Sequence, residues 1–285
     1  MEDEIYSTQV ATAPNTRGLL LSLAILLMSL GLLYHHVLAR LVHDWFTDSN
    51  YSHGFLIPFI AGYLVWQRKH RLSLLPSRPS KWGILLVVAG LAIYTLGYIG
   101  SELFSTRFSL IVLIWGLVLF LAGWPWAQEL LVPISYLFFM IPLPAMVWNK
   151  IAFPLKLFVT RLAVWVTSLL GIPAYRDGNI IHLSNTTLQV VDACSGMRSL
   201  ASLLALSAAF SFLTSHSVTK KWLLFFSAVP IAIILNVFRL TLTAVLAQAY
   251  SPQVAKGFLH EISGLIVFVL AIGLLYGCHL LVKRI

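Results

Sequence analysis

The stretch from Trp222 to Ala247, WLLFFSAVPIAIILNVFRLTLTAVLA, decides the fold. As a helix rising 1.5 Å per residue it is long enough to cross a hydrocarbon core of about 30 Å, and it carries one charge, Arg239. Lys220 and Lys221 stand immediately before it. Similar apolar runs recur from Leu19 almost to the C-terminus, in a chain of 285 residues that is 59% hydrophobic and 10% charged. An ordinary soluble domain is roughly 25% charged. Such a chain needs lipid as its solvent. The pattern predicts an all-α polytopic membrane protein, folded as a single integral-membrane domain over residues 1–285.

Eight spans are expected, near residues 18–38, 54–67, 83–100, 108–124, 129–148, 195–213, 222–247 and 260–282. Arg17 precedes the first run and no small-residue cleavage pattern follows it, so that run is expected to be a retained helix. The net charge of +9 does not point to nucleic acid, because the cations sit mainly in short loops, where they set membrane orientation. Arg68, Lys69, Arg71, Arg78 and Lys81 share one loop, Lys220 and Lys221 another, and Lys283 and Arg284 close the chain. All three groups, and both termini, are expected in the cytoplasm.

This orientation constrains residues 149–193, which become an outer interfacial segment. A crossing at 149–170 would invert every later helix. On a helical wheel Asn149, Lys150, Lys156, Thr160, Arg161, Thr167 and Ser168 fall within an arc of roughly 140°, the pattern of an amphipathic helix lying on the outer surface. A re-entrant or tilted segment packed in the bundle is the alternative. Beyond Gly171, Pro173 and Asp177-Gly178, the alternating runs Asn179–Leu183 and Thr187–Val191 predict a small outer β-hairpin around 184–186.

The hairpin leads into Asp192-Ala193-Cys194-Ser195-Gly196. Asp192 is suited to cap a helix whose positive dipole end favours a thiolate at Cys194, and Arg198 follows one turn later. A buried structural cysteine with a snorkelling Arg198 is the other reading. Cys278, in an apolar span at the opposite membrane face, is read as a packing residue, too distant to form a disulfide with Cys194. Arg239 lies roughly 26 Å along its helix from Trp222, close to the outer boundary, and an intramembrane arginine is costly enough to be a functional candidate. Asn236 is three residues earlier on the same face and is placed to hold it. His260 opens the last span, again on the outer side. Nucleophile, anion stabiliser and proton-transfer group at one depth is the inventory acyl transfer needs. His53 also faces outward and is a supporting candidate. Ser195 is a weaker nucleophile than a thiol beside two cations.

In the blocks Ala193-Cys194-Ser195-Gly196-Met197-Arg198 and Asn236-Val237-Phe238-Arg239, with His260 and with Ser52-His53-Gly54-Phe55, the chain resembles the exosortases, bacterial relatives of the archaeosortases. The resemblance covers nearly the whole chain. It implies a membrane cysteine protease and transpeptidase of the bacterial inner membrane, with its active site on the periplasmic side. Its partners would be exported proteins ending in a Pro-Glu-Pro-like (PEP-CTERM) motif, a transmembrane helix and a basic tail. Carried over residue by residue, Cys194 is the nucleophile that forms a thioester, Arg239 stabilises charge and His260 transfers protons. Arg198, Asn236, Asp192 and His53 are supporting residues. No cofactor is implied. Two other classes compete. A transporter would use Arg239 and His260 to line a path, but no inverted repeat or broken helix pair is visible. A metalloenzyme would need ligand spacing, and the nine histidines include no His-Glu-x-x-His.

Overall fold

The computed structural model describes residues 16–184, 186–190, 197–214, 217–249 and 258–284. They are mostly helical, with one small antiparallel sheet. The chain divides into two units, one ending at Arg40 within helix α1 (Thr16–Thr47) and the other running from Leu41 to Ile285. Among the described residues six helices are long and apolar enough to cross a membrane. They are α1, α4 (Trp82–Ile99), α5 (Leu103–Leu121), α8 (Ala145–Leu169), α10 (Val218–Ala249) and α11 (Phe258–Arg284). Five of these match expected spans. Three further expected spans, at 54–67, 129–148 and 195–213, correspond to shorter elements, so the count of eight is not reached by length alone.

The expected span at 129–148 is corrected. Helices α6 (Trp124–Glu129) and α7 (Leu131–Tyr136) and a 3-10 turn (Leu137–Met140) carry the chain only as far as Met140. Ile141 is extended, with φ −92° and ψ 120°, because Pro142 bars it from the helical region, and Pro144 then caps α8. Residues 145–148 therefore belong to the helix that follows, which continues through 149–169 as one 25-residue element. Its side chains divide into three faces. Ala152, Val159 and Ala163 are buried, Lys150 and Arg161 are exposed polar residues, and Ile151, Phe158 and Trp165 are exposed apolar ones. Thr160 and Thr167 reach the buried face by donating to the carbonyls of Lys156 and Ala163, both at 2.7 Å.

Helices α4 and α5 form a hairpin built on glycine. Gly83, Gly90 and Gly97 recur every seventh residue along α4, and all are buried. A Cβ on Gly90 would lie 3.1 Å from the Leu113 nitrogen, and one on Gly97 would lie 3.0 Å from the Thr106 nitrogen. From the other side, a Cβ on Gly116 would stand 2.8 Å from the Val87 nitrogen. Small residues let the two backbones touch, which is how helices associate in lipid without a hydrophobic driving force. The turn puts Ser101 at φ 52°, and Glu102 then caps α5 through carboxylate bonds from Phe104 N (3.0 Å) and Ser105 N (2.5 Å). That cap starts α5 before Arg107, which the sequence reading left outside the span. Arg107, 3% exposed, pairs with Asp44 of α1 at 2.5 Å.

Helix α2 (Leu56–Gln67) packs against α7 and against α9 (Met197–Leu213). Arg68 and Arg71, at its end and in α3 (Lys69–Leu74), meet Glu129 of α6 at 3.4 and 3.7 Å. At the opposite end, Trp45 Nε1 donates to the Met140 carbonyl at 2.9 Å and Leu143 N to Tyr51 Oη at 3.2 Å.

The expected β-hairpin is a three-stranded sheet, β1 (Ala174–Asp177), β2 (Ile180–Leu183) and β3 (Thr187–Gln189), in the order β1-β2-β3. Gly178, at φ 58°, makes the tight turn that pairs Asp177 with Ile180. Strand β1 escaped the sequence reading because it is mostly exposed and lacks apolar alternation. Ile181, Leu183, Leu188 and Val190 pack with Val159 and Ala163 of α8 and with Leu240, Ala244 and Ala247 of α10. A second cluster joins Leu200 and Leu203 of α9, Leu224 to Leu235 of α10, and Val267, Ala271 and Leu275 of α11.

Candidate functional site

Helix α10 is the post from which the site is built. Helix α9 runs antiparallel to it. Ser211 Oγ donates to the Lys221 carbonyl at 3.1 Å, and Ser207 Oγ lies 3.3 Å from the Phe225 carbonyl. Each step of four residues back along α9 thus advances four along α10. Carried to Met197, this register brings the start of α9 level with Leu235 and Asn236. Arg198 is the second residue of that helix.

Arg239 is half-buried and turned toward α11. A Cβ on Gly264 would lie 3.6 Å from its Nη2 and 4.0 Å from its Cζ, so the guanidinium rests on a bare patch of the α11 backbone. His260 is the third residue of α11, one turn before Gly264. Asn236 is 2% exposed, and its Nδ2 has no hydrogen-bond partner among the described residues.

Cys194 and Asp192 lie outside the described residues. The chain before them is held at Val190, whose N–H donates to the Asn179 carbonyl at 2.9 Å and whose carbonyl accepts from Asn179 Nδ2 at 3.1 Å. The chain after them begins α9 at Met197.

His53 sits in a 3-10 turn (Ser52–Phe55) against Phe139 of the 3-10 turn Leu137–Met140. Burial pushes its pKa below the usual histidine value, and hydrogen bonds to the Phe139 and Asn50 backbone only partly offset this. Its ring is 6.4 Å from that of Tyr51, which in turn lies 6.0 Å from Trp148. The geometry groups it with these aromatic residues. Cys278 is half-buried against the α9–α10–α11 cluster, as a packing residue would be. A groove of about 370 Å³ between α8 and α10, lined by Val166, Val237, Phe238 and Thr241 among others, offers no titratable group.

The Asp44–Arg107 pair was missed in the sequence, because its members stand 63 positions apart. Among the described residues no cluster of three or more histidine, cysteine or acidic side chains could hold a metal.

Neither the comparison with curated proteins nor that with solved structures finds a match. The family model described as transmembrane exosortase (Exosortase_EpsH) matches residues 45–277, from the end of α1 to the last turns of α11, and the chain belongs to that family.

Proposed function

We propose that the chain is a cysteine transpeptidase of the bacterial inner membrane that cleaves a C-terminal sorting signal on exported proteins and passes the cleaved protein to an acceptor. Family membership supports a membrane sorting transpeptidase in general. The observation that carries the finer reading is the seating of Arg239 on Gly264, one turn from His260, at the level where α9 begins. An arginine within a long apolar helix is expensive unless it acts, and here it is directed at a helix carrying a proton-transfer group.

In the mechanism, the Cys194 thiolate attacks the scissile carbonyl carbon. A C–S bond forms as the carbonyl π pair moves onto oxygen, where Arg239 stabilises the charge. Collapse breaks the C–N bond, and the amine departs with a proton from His260. The thioester is then attacked by the acceptor, which gives its proton to His260. Arg198 beside the cysteine favours the thiolate. The substrates are proteins ending in a Pro-Glu-Pro-like motif, an apolar helix and a basic tail. A spanning helix presents its motif just outside the lipid, at the depth proposed for Cys194.

The test is mass spectrometry of enzyme trapped with substrate, with hydroxylamine added to release thioesters. A substrate fragment is expected on Cys194 and is lost in Cys194→Ala, which also abolishes cleavage, while Cys278→Ala cleaves normally. A fragment attached elsewhere, or cleavage by Cys194→Ala equal to that of Cys278→Ala, refutes the assignment.

A further inference from the structure

A second groove, of about 470 Å³, lies between the α4–α5 hairpin and α7, lined by Leu86, Phe108, Val112, Trp115, Leu131 and Ser135 among others. On α5, Phe108, Val112 and Trp115 follow at intervals of four and three and share one face. At one end Phe108 meets Phe138 edge-on, with ring centres 6.4 Å apart. At the other, Trp115 Nε1 donates to the Ala127 carbonyl at 3.0 Å and the ring lies 6.5 Å from that of Trp124.

The Trp115 end is also where the cations gather. Leu131, in the groove wall, is two residues beyond Glu129, which Arg71 meets at 3.7 Å. The chain leading into α4 crosses the end of α5, with Arg78 N donating to the Ala122 carbonyl at 3.0 Å and Ser80 N to the Leu119 carbonyl at 3.3 Å. Gly123 leaves room for that crossing, since a Cβ there would collide with the Arg78 carbonyl. Lys81 caps α4 five residues before Leu86. Arg71, Arg78 and Lys81 are all exposed, as are Trp66, Trp82 and Trp124. Residues 66–86 and 115–139 together hold five cations, Arg68, Lys69, Arg71, Arg78 and Lys81, against one acid, Glu129.

We propose that the groove seats one acyl chain of an anionic phospholipid, whose phosphate lies among Arg71, Arg78 and Lys81. Orientation alone accounts for cations at a membrane face, but not for an aromatic-lined groove that begins beside them. Length favours an acyl chain. From Phe108 to Trp115 α5 rises about 10 Å, within the roughly 15 Å of one leaflet and far short of the about 30 Å a spanning helix covers. Charge favours it as well, because the substrate helix proposed above ends in a basic tail, which these cations repel.

The experiment places the full chain in nanodiscs of equal phosphatidylglycerol and phosphatidylcholine with matched acyl chains. Native mass spectrometry reads which lipid stays bound on release. Wild type is expected to retain phosphatidylglycerol over phosphatidylcholine by about tenfold or more. Arg78→Gln and Lys81→Gln, made singly so that the remaining cations still orient the chain, each lower that preference by about fivefold. Ser135→Trp fills the groove from an exposed position and leaves every cation in place. It is expected to lower phosphatidylglycerol retention by about tenfold, because the seated chain loses its packing. Val112→Phe fills the groove from α5 and is read in the same way should Ser135→Trp fail to insert. No preference in wild type, or an unchanged preference in both Gln variants, overturns the proposal. Wild-type retention in a groove-filled variant overturns it too, since the cations would then act as a diffuse surface. If that variant also shows a raised KM for signal cleavage, the groove belongs to the substrate helix instead.

Discussion

At the scale of single residues, the chemistry rests on a contrast between two arginines. Arg107 is 3% exposed and paired with Asp44, so its charge is neutralised within the fold. Arg239 is half-buried, and its Nη2 would lie 3.6 Å from a Cβ on Gly264 of α11. A planar fork that stabilises a developing oxyanion is not replaced by the point charge of lysine. Arg239→Lys is therefore expected to lower kcat/KM for signal cleavage by about tenfold or more, a loss of at least about 1.4 kcal/mol of transition-state stabilisation. The measurement is steady-state cleavage in reconstituted vesicles. Wild-type turnover would make Arg239 a snorkelling anchor. Asn236 and Arg239 were both visible in the sequence as polar interruptions of an apolar run. How deeply Asn236 is buried was not, because that depends on the elements packed around α10.

At the scale of elements, the glycine seam of α4 and α5 makes the sharpest stability prediction. Gly90→Leu forces a branched side chain against the Leu113 backbone, and is expected to cost about 1–3 kcal/mol by overpacking. Gly62→Leu, where nothing lies within 4 Å, is the control and is expected to be close to neutral. Thermal unfolding in detergent compares the two. The 3-10 turn at Ser52–Phe55 makes a prediction about pH. The folded pKa of His53 is below its ordinary value of 6.5, so the unfolded chain binds the proton more readily. Its contribution to stability is full above the unfolded value and is lost as pH falls from about 6.5 through the depressed folded value. The unfolding midpoint is expected to drop over that window, and to drop less in His53→Gln.

These elements were unequally legible. Long runs such as 222–247 identify themselves by length. The Pro142–Pro144 break lay inside a run whose composition is apolar throughout, so composition alone extended a helix to residue 148 across a chain that is extended at Ile141. The seven-residue spacing of Gly83, Gly90 and Gly97 acquires meaning only from the partner helix. Strand β1 is held by pairing with β2, as in Tyr175 with His182, whose rings stack at 4.4 Å, and not by a pattern of its own.

At the scale of the whole molecule, the orientation is the prediction on which the outer placement of the site depends. By their cations, 68–81, 220–221 and the C-terminus are expected to lie in the cytoplasm, with the segments before α9 and α11 outside. Reporter fusions at Ser80 and Ala255 are expected to report opposite sides. The same side for both would dismantle the clustered site along with the topology.

The brevity of α2 has a further consequence, one for the lipid around the protein. Its twelve residues rise only about 18 Å, against about 30 Å of hydrocarbon, yet Leu56, Phe59, Tyr63 and Trp66 are exposed along it. Acyl chains bordering that face meet a hydrophobic belt shorter than themselves, and relieve the mismatch by local thinning of the bilayer. The protein would thus carry a dimple in the membrane beside α2, and chain length in the surrounding phospholipid would set the energetic cost of keeping it open.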